Sequence, residues 1–311
     1  MGFLNILAID GGGIRGIYAA HLLDRIQKET GINYTEHFDL IAGTSTGSII
    51  ASALAINYPI SDVVSLYDEH GDAIFSNRLL GWFGALLPKY SNKALKNQLH
   101  SIFTDKTLSD TSTNLMIPAT DIGNGSVHVF KSPYDSNFVR DKNVLIADAV
   151  LASCSAPSFF KPHTVNEYLL ADGGLWANNP SLTCLIEAKK RFNVELDDVK
   201  LLSIGSGIGH HFYDQKKNDL RGWGILTGWG GPKLLDTILN LQSESTKNMT
   251  ELLLKPDQSL RINFEVSGKL ALDDTSSILN LKSKADRDFT HNAKIISKFL
   301  LNDKPKEMIA S

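Results

Sequence analysis

Two stretches of this 311-residue chain share the same order of parts, and that repetition restricts the fold more than any other feature. Residues 4–9 are a short apolar run of strand-forming types that ends abruptly at Asp10-Gly11-Gly12-Gly13. From Ile14 onward, Ile17, Tyr18, Leu22 and Ile26 share one helical face, and Gly31 supplies a stop. Residues 38–42 repeat the scheme: an apolar run enters Gly43-Thr44-Ser45-Thr46-Gly47, and an apolar helix is expected over 48–56. Successive strand–turn–helix units imply parallel strands with helices laid over the sheet. The expected fold class is α/β, a three-layer sandwich with a mainly parallel central sheet flanked by helices.

Further strands are expected at 115–120, 127–131, 168–171, 199–204 and 260–266, and helices at 144–152, 180–192 and 232–254. Asn179 can cap the second of these helices, with Pro180 where a proline loses no hydrogen bond. Residues 61–113 lack strand character and read as a helical, lid-like insertion, whose segment 79–87 is rich in Leu, Trp and Gly. No repeat or linker divides the chain. We therefore expect one domain over 1–311, with a catalytic core at about 4–210 and a helical and strand extension at about 211–311.

A chain of this length with 42% hydrophobic residues can bury a large core. Its 31 basic and 34 acidic residues give a net charge of -3, which argues against bulk nucleic acid as a partner. Two cysteines, Cys154 and Cys184, are too few for a disulfide framework and suit a reducing compartment. Residues 1–7 have no basic head and too short an apolar run for a secretory signal, and Ile6 stands where a myristoylation motif wants Ser or Thr. No apolar stretch approaches the roughly 18 residues of a membrane span. The expectation is a cytoplasmic protein that meets any membrane from one side; its oligomeric state is not legible.

The chemistry concentrates at glycine-flanked turns. Gly43-Thr44-Ser45-Thr46-Gly47 fits the G-x-S-x-G nucleophile elbow in its required strand-before, helix-after context. A plainer reading makes Ser45 a helix cap. Asp10-Gly11-Gly12-Gly13-Ile14-Arg15-Gly16 contains G-x-G-x-x-G, whose amides could face either a nucleotide phosphate or an oxyanion. One oxyanion donor is worth on the order of 3 kcal/mol. A dinucleotide fold wants an acidic residue about 20 positions further on at the end of the next strand. Here that strand runs into Gly43-Thr44-Ser45, and Glu36 and Asp39 precede or open it.

A serine nucleophile needs a base. His210 and His211 follow a glycine-rich turn after 199–204 and could complete a Ser-His-Asp triad, whereas His163 lies beside Pro162 in a loop. The other candidate is Asp172, at the end of an apolar strand and followed by Gly173-Gly174. Three readings therefore stand: a serine hydrolase with Asp172 as base, a triad esterase acting on small soluble esters, and a phosphotransfer protein using Asp10 and the glycine run as a phosphate loop.

Asp10 to Gly16, Gly43 to Gly47, Ser155-Ala156-Pro157 and Asp172-Gly173-Gly174 together, in this order, resemble the signature of the patatin-like phospholipases. The resemblance covers about residues 4–180. It implies a Ser45–Asp172 dyad without histidine or metal, and an oxyanion hole in the glycine run Gly11, Gly12 and Gly13, with the Gly12 and Gly13 amides as donors and Gly11 completing the turn. Arg15 would order that loop or meet anionic lipid. Gly16, Gly43, Gly47, Gly173 and Gly174 would support the turns. Ser48 departs from the family, where many members carry another glycine. The implied substrate is a membrane glycerophospholipid or galactolipid acyl ester, cleaved through an acyl-enzyme.

Segments 79–87 with Trp82 and 221–229 with Trp229 have the composition of interfacial loops, or of a buried lid, and would give peripheral membrane contact at the inner face. The chain also resembles the patatin-like effectors that cyclic dinucleotides switch on in anti-phage signalling. Such an allosteric ligand would have room in the last third, where Arg261, Arg287 and His291 lie.

Overall fold

The computed structural model describes residues 3–76, 88–209, 213–215, 219, 222–224, 227–229, 232–266 and 270–301. These form one eight-stranded sheet from β1 (Leu4–Ile9), β2 (Leu40–Gly43), β3 (Asn114–Asp121), β4 (Ser126–Lys131), β5 (His163–Val165), β6 (Tyr168–Asp172), β7 (Val199–Ile204) and β8 (Ser259–Ile262). The order is β5-β6-β3-β2-β1-β7-β8, with β4 paired to β3. β1 lies between β2 and β7, and the pairs β1/β2, β1/β7, β2/β3 and β7/β8 are all parallel.

Strand alternation divides the core between the two faces of the sheet. Leu7, Ile9, Ile41, Leu115, Leu202 and Ile204 point to one face, beneath helices Gly16–Thr30, Thr46–Ala55, Ile60–Ser76, Asn92–Phe103 and Ile146–Ser153. Leu4, Ile6, Ala8, Leu40, Met116 and Leu201 point to the other, against Cys184, Leu185 and Ala188 of helix Ser181–Lys190. The α/β sandwich expected from the sequence is therefore present. Every residue of β1 is buried, which explains why its sequence is apolar except at Asn5, whose side chain donates to the His37 carbonyl at 3.1 Å.

The parallel part of the sheet gives way to an antiparallel corner that the sequence did not reveal. β3 pairs antiparallel with both β4 and β6, and β6 with β5. Asp121 starts the β3–β4 turn by accepting the amides of Gly123 and Asn124, each at 3.1 Å. β5, with His163, is a three-residue edge strand, too short to carry an alternating pattern.

The C-terminal third is part of the same sheet. β8 extends the parallel edge, helix Ile278–Leu301 packs along Gly16–Thr30, and helix Pro232–Leu253 leans on the turn after β6. The strand expected over 260–266 is shorter than its pattern because the Asn263 side-chain carbonyl accepts the Gly207 and Phe264 amides, at 2.8 and 2.9 Å. No helix among the described residues is long and apolar enough to cross a membrane. The segment 79–87 with Trp82, and both His210 and His211, lie outside the described residues.

Candidate active site

β2 pairs with residues 114–116 of β3, and β6 with residues 119–121. Because β4 occupies the opposite edge over 116–121, β2 and β6 lie end to end on a single edge of β3. β2 runs parallel to β3 and β6 runs antiparallel, so their C-terminal ends face each other. The turn after β2 carries Ser45, and the last residue of β6 is Asp172. Two residues far apart in the chain are thereby brought into one cavity.

Ser45 has φ 52° and ψ −126°, a conformation that costs a non-glycine residue about 1–3 kcal/mol. Several contacts hold it there. Its amide donates to Ser153 Oγ at 2.9 Å, and that hydroxyl donates to the Pro118 carbonyl at 2.7 Å. Ser48 Oγ donates to the Ser45 carbonyl at 2.6 Å, so the residue that departs from the family pattern helps fix the elbow. A Cβ on Gly43 would sit 2.1 Å from the Gly47 carbonyl oxygen, and one on Gly47 would sit 2.4 Å from that of Ile9. Only glycines let the elbow press this closely on β1. The helix that follows directs its positive end at Ser45.

Asp172 is buried and fixed by its own main chain. Its amide donates to the Ser155 carbonyl at 3.0 Å, which gives the Ser155-Ala156-Pro157 motif a role, and its carbonyl accepts Thr120 Oγ at 2.7 Å. The carboxylate accepts the Gly174 amide at 2.7 Å. Burial lifts its pKa from 3.8 to about 6, against the opposing pull of the Gly174 amide and of the nearby Ser45 side chain. Such a carboxylate is ionised at neutral pH yet basic enough to take a proton. A Cβ on Gly173 would meet the Pro118 carbonyl oxygen at 2.2 Å, so the turn after Asp172 depends on that close approach.

Within the glycine run the three residues differ. The Gly11 amide donates to the Asn178 carbonyl at 3.0 Å, so Gly11 closes the turn and its amide is not an available oxyanion donor. Gly12 and Gly13 line the cavity, and among the described residues their amides have no hydrogen-bond acceptor. Gly13 has φ 58°, a conformation that favours glycine. Gly16 lets its helix meet the elbow, since a Cβ there would lie 2.3 Å from Thr46 Oγ1.

Arg15 is 2% exposed, donates to the Gly12 carbonyl at 3.3 Å and pairs with Asp236 at 3.1 Å. It orders the loop and is too buried to meet lipid, which corrects that part of the expectation. Asp10 is likewise committed: its buried carboxylate is held by Arg261 at 2.6 and 3.2 Å. A phosphate loop built on Asp10 is therefore disfavoured, because Arg261 already neutralises its carboxylate.

The cavity around Ser45 and Asp172 holds only about 70 Å³. Its walls include Ile49, Leu66, Leu95, Phe159, Phe160 and Leu272. The Cys154 thiol also lines it, but burial and the Asp172 charge raise its pKa strongly, so it stays protonated. Leu272 roofs the glycine run: its carbonyl accepts the Ile14 amide at 2.8 Å. The neighbouring Asp273 is tied to Lys89 and accepts the Tyr90 hydroxyl at 2.5 Å. No histidine among the described residues lines the cavity, and His163 pairs with Asp148 at 2.9 Å. No group of three or more potential metal ligands occurs among the described residues.

Three contributors had no signal in the sequence. Ser153 positions the elbow, Leu272 covers it, and Asn178 joins the glycine run to helix Pro232–Leu253 through Ser243 Oγ at 2.8 Å. Only the adjacent Asn179 was legible, as a cap, and its side chain does accept the Ser181 amide at 2.9 Å.

Residues 7–185 match the family model described as patatin-like phospholipase. The chain is 31% identical to a cGAMP-activated phospholipase of Escherichia coli (strain TW11681), over 97% of this chain and 94% of that protein. It is 32% identical to a cUMP-AMP-activated phospholipase of Escherichia coli, over 83% of this chain and 80% of that one. Among solved structures it is similar to VipD from Legionella pneumophila, at 14% identity and a TM-score of 0.45 over 92% of this chain and 67% of that one, a likeness too low to add to the sheet order. The family match over more than half the sequence, together with the elbow geometry, places this chain in the patatin-like phospholipase family as a hydrolase of the patatin type.

Proposed function

We propose that the chain cleaves acyl esters of membrane glycerophospholipids through a Ser45–Asp172 dyad, and that a cyclic dinucleotide switches it on. One observation carries the dyad: Ser45 and the buried Asp172 carboxylate line one cavity beside two amides without acceptors among the described residues. Asp172 takes the Ser45 proton as Oγ bonds to the acyl carbon, and the Gly12 and Gly13 amides receive the carbonyl oxygen as it gains charge. The carbonyl then re-forms, the ester bond to the glycerol oxygen breaks, and Asp172 returns the proton to that oxygen. Water repeats the sequence on the acyl-enzyme and frees a fatty acid.

The cover over the site supports a switch. A cavity of about 70 Å³ is far below the roughly 300–1,000 Å³ of ligand pockets, so a lipid chain enters only after the walls, Leu272 among them, move. The two Escherichia coli relatives are named for activation by cyclic dinucleotides, which fits the same reading and a role in anti-phage defence at the inner face of the membrane. Trp223 and Trp229, 42% and 38% exposed with ring centroids 5.4 Å apart, offer an interfacial anchor.

The test is lipid product analysis by mass spectrometry on wild type, Ser45→Ala and Asp172→Asn, each with and without cyclic dinucleotide. Free fatty acid and lysophospholipid from wild type alone are expected. Equal turnover by Asp172→Asn would remove the dyad. Trp229→Ser should weaken liposome cosedimentation, and unchanged binding would remove the anchor.

A further inference from the structure

Helix Pro232–Leu253 and β8 enclose a second cavity of about 650 Å³, lined by Lys247, Thr250, Lys255, Arg261, Asn263 and Glu265. Its size is that of a small-molecule site. We propose that this cavity is the cyclic-dinucleotide site, and that it reaches the catalytic pocket through Arg261 and Asp10.

The chemistry of the lining is mixed in a way that narrows the ligand class. Lys247, Lys255 and Arg261 favour an anion, but Glu251 and Glu265 also line the cavity and would repel a plain one. A nucleotide matches both signs. Its phosphates take the cations, and its base edges offer N–H donors to the carboxylates and acceptors to Asn263 Nδ2. The two lysines are available for exchange. Lys255 pairs with Asp197, and both are largely exposed, at 62% and 74%, so that contact is worth little. The Lys247 ammonium lies 4.0 Å from Glu244. Arg261 Nε is buried and has no hydrogen-bond partner among the described residues, a donor that a phosphate oxygen would satisfy.

Two physical links run from this cavity to Ser45. Arg261 holds Asp10 through Nη1 and Nη2, and Asp10 is followed directly by Gly11-Gly12-Gly13. A phosphate drawing on the guanidinium therefore pulls at the root of the loop that carries the oxyanion donors. Phe264 and Glu265, on the cavity wall, lead into residues 270–274, where Leu272 covers the catalytic pocket. A ligand seated here touches Arg261, which holds the root of the loop, and Phe264 and Glu265, which precede its cover in the chain. Ser203 adds to the first link, because its hydroxyl lines this cavity and accepts Arg261 Nη1 at 2.6 Å.

The assignment rests on the reading of the chain as an effector-switched lipase. It is tested by isothermal titration of the full chain with cGAMP, cUMP-AMP and cyclic di-AMP, on wild type, Lys247→Glu and Lys255→Glu. A photo-crosslinking analogue of whichever nucleotide binds is then mapped by mass spectrometry. We expect one nucleotide to bind wild type, each variant to bind it at least tenfold more weakly, and the crosslink to fall within residues 247–265. Unchanged affinity in both folded variants, or a crosslink mapping elsewhere, would overturn the location while leaving the effector reading intact. No binding by wild type would overturn both, with the lipase chemistry judged separately by its products. Should a variant fail to fold, the crosslink on wild type decides.

Discussion

Replacing Asp172 by Asn separates the carboxylate's charge from its shape. The amide retains an oxygen that can accept the Gly174 amide at the position where Asp172 now takes it at 2.7 Å. What is lost is a titrating group that burial has lifted from 3.8 to about 6. A carboxyl whose folded pKa lies above its unfolded one stabilises the fold fully only below the unfolded value, and that benefit is lost as pH rises through the folded value. With one pKa unit equal to about 1.4 kcal/mol, keeping Asp172 charged at pH 7.5 costs wild type about 3 kcal/mol, and at pH 5 about half of that. The stability difference between Asp172→Asn and wild type should therefore shift in favour of wild type by roughly 1–2 kcal/mol from pH 7.5 to pH 5. Urea unfolding followed by circular dichroism at both pH values measures it, free of the constant contribution of hydrogen-bond changes. The same variant should lose about 10²–10⁴ in kcat, and wild-type kcat/KM should fall as pH drops below about 6. A stability gap independent of pH, or a variant with wild-type turnover, would refute the picture of a buried carboxylate held in its basic form.

Ser45→Gly should abolish hydrolysis yet raise stability by about 1 kcal/mol in urea, because glycine relieves the strain at φ 52° less its own chain entropy; lower stability would show that the elbow is not strained. Gly13→Ala places a methyl 2.2 Å from the Leu272 carbonyl oxygen at a left-handed φ, and should cost about 10²–10³ in kcat together with a lower Tm. Wild-type turnover there would remove Gly13 from the oxyanion hole. Asp273→Asn loosens the ties to Lys89 and Tyr90, and should raise hydrolysis of a short p-nitrophenyl ester several-fold; an unchanged rate would mean that the cover does not limit access. His163→Ala should leave kcat within about twofold, since its partner is Asp148 and it lies off the cavity wall, whereas a loss of 10²-fold would reinstate a histidine base.

Residues 4–43 alone made a parallel sheet under helices legible, because buried parallel strands and their crossover helices write two distinct periods into the sequence. Ser45 was legible for the same reason: its turn needs glycines on either side, between a strand and a helix. Arg15 and Gly11 show where that legibility stops. Each was readable as part of the loop, but only coordinates give Arg15 a buried partner in Asp236 and turn the Gly11 amide toward Asn178. Arg261 is a similar case, since only the structure binds it to Asp10, 251 positions away.

The chain by itself determined which turns are sharp and which side chains sit on them, since those are local consequences of glycine, strand and helix preferences. It could not determine that β2 and β6 approach from opposite directions along one edge of β3, which alone brings Ser45 and Asp172 face to face. Nor could it place Leu272 over the glycine run. Strand order and direction are set by how whole surfaces bury one another, a property of the assembled sheet that no single segment encodes.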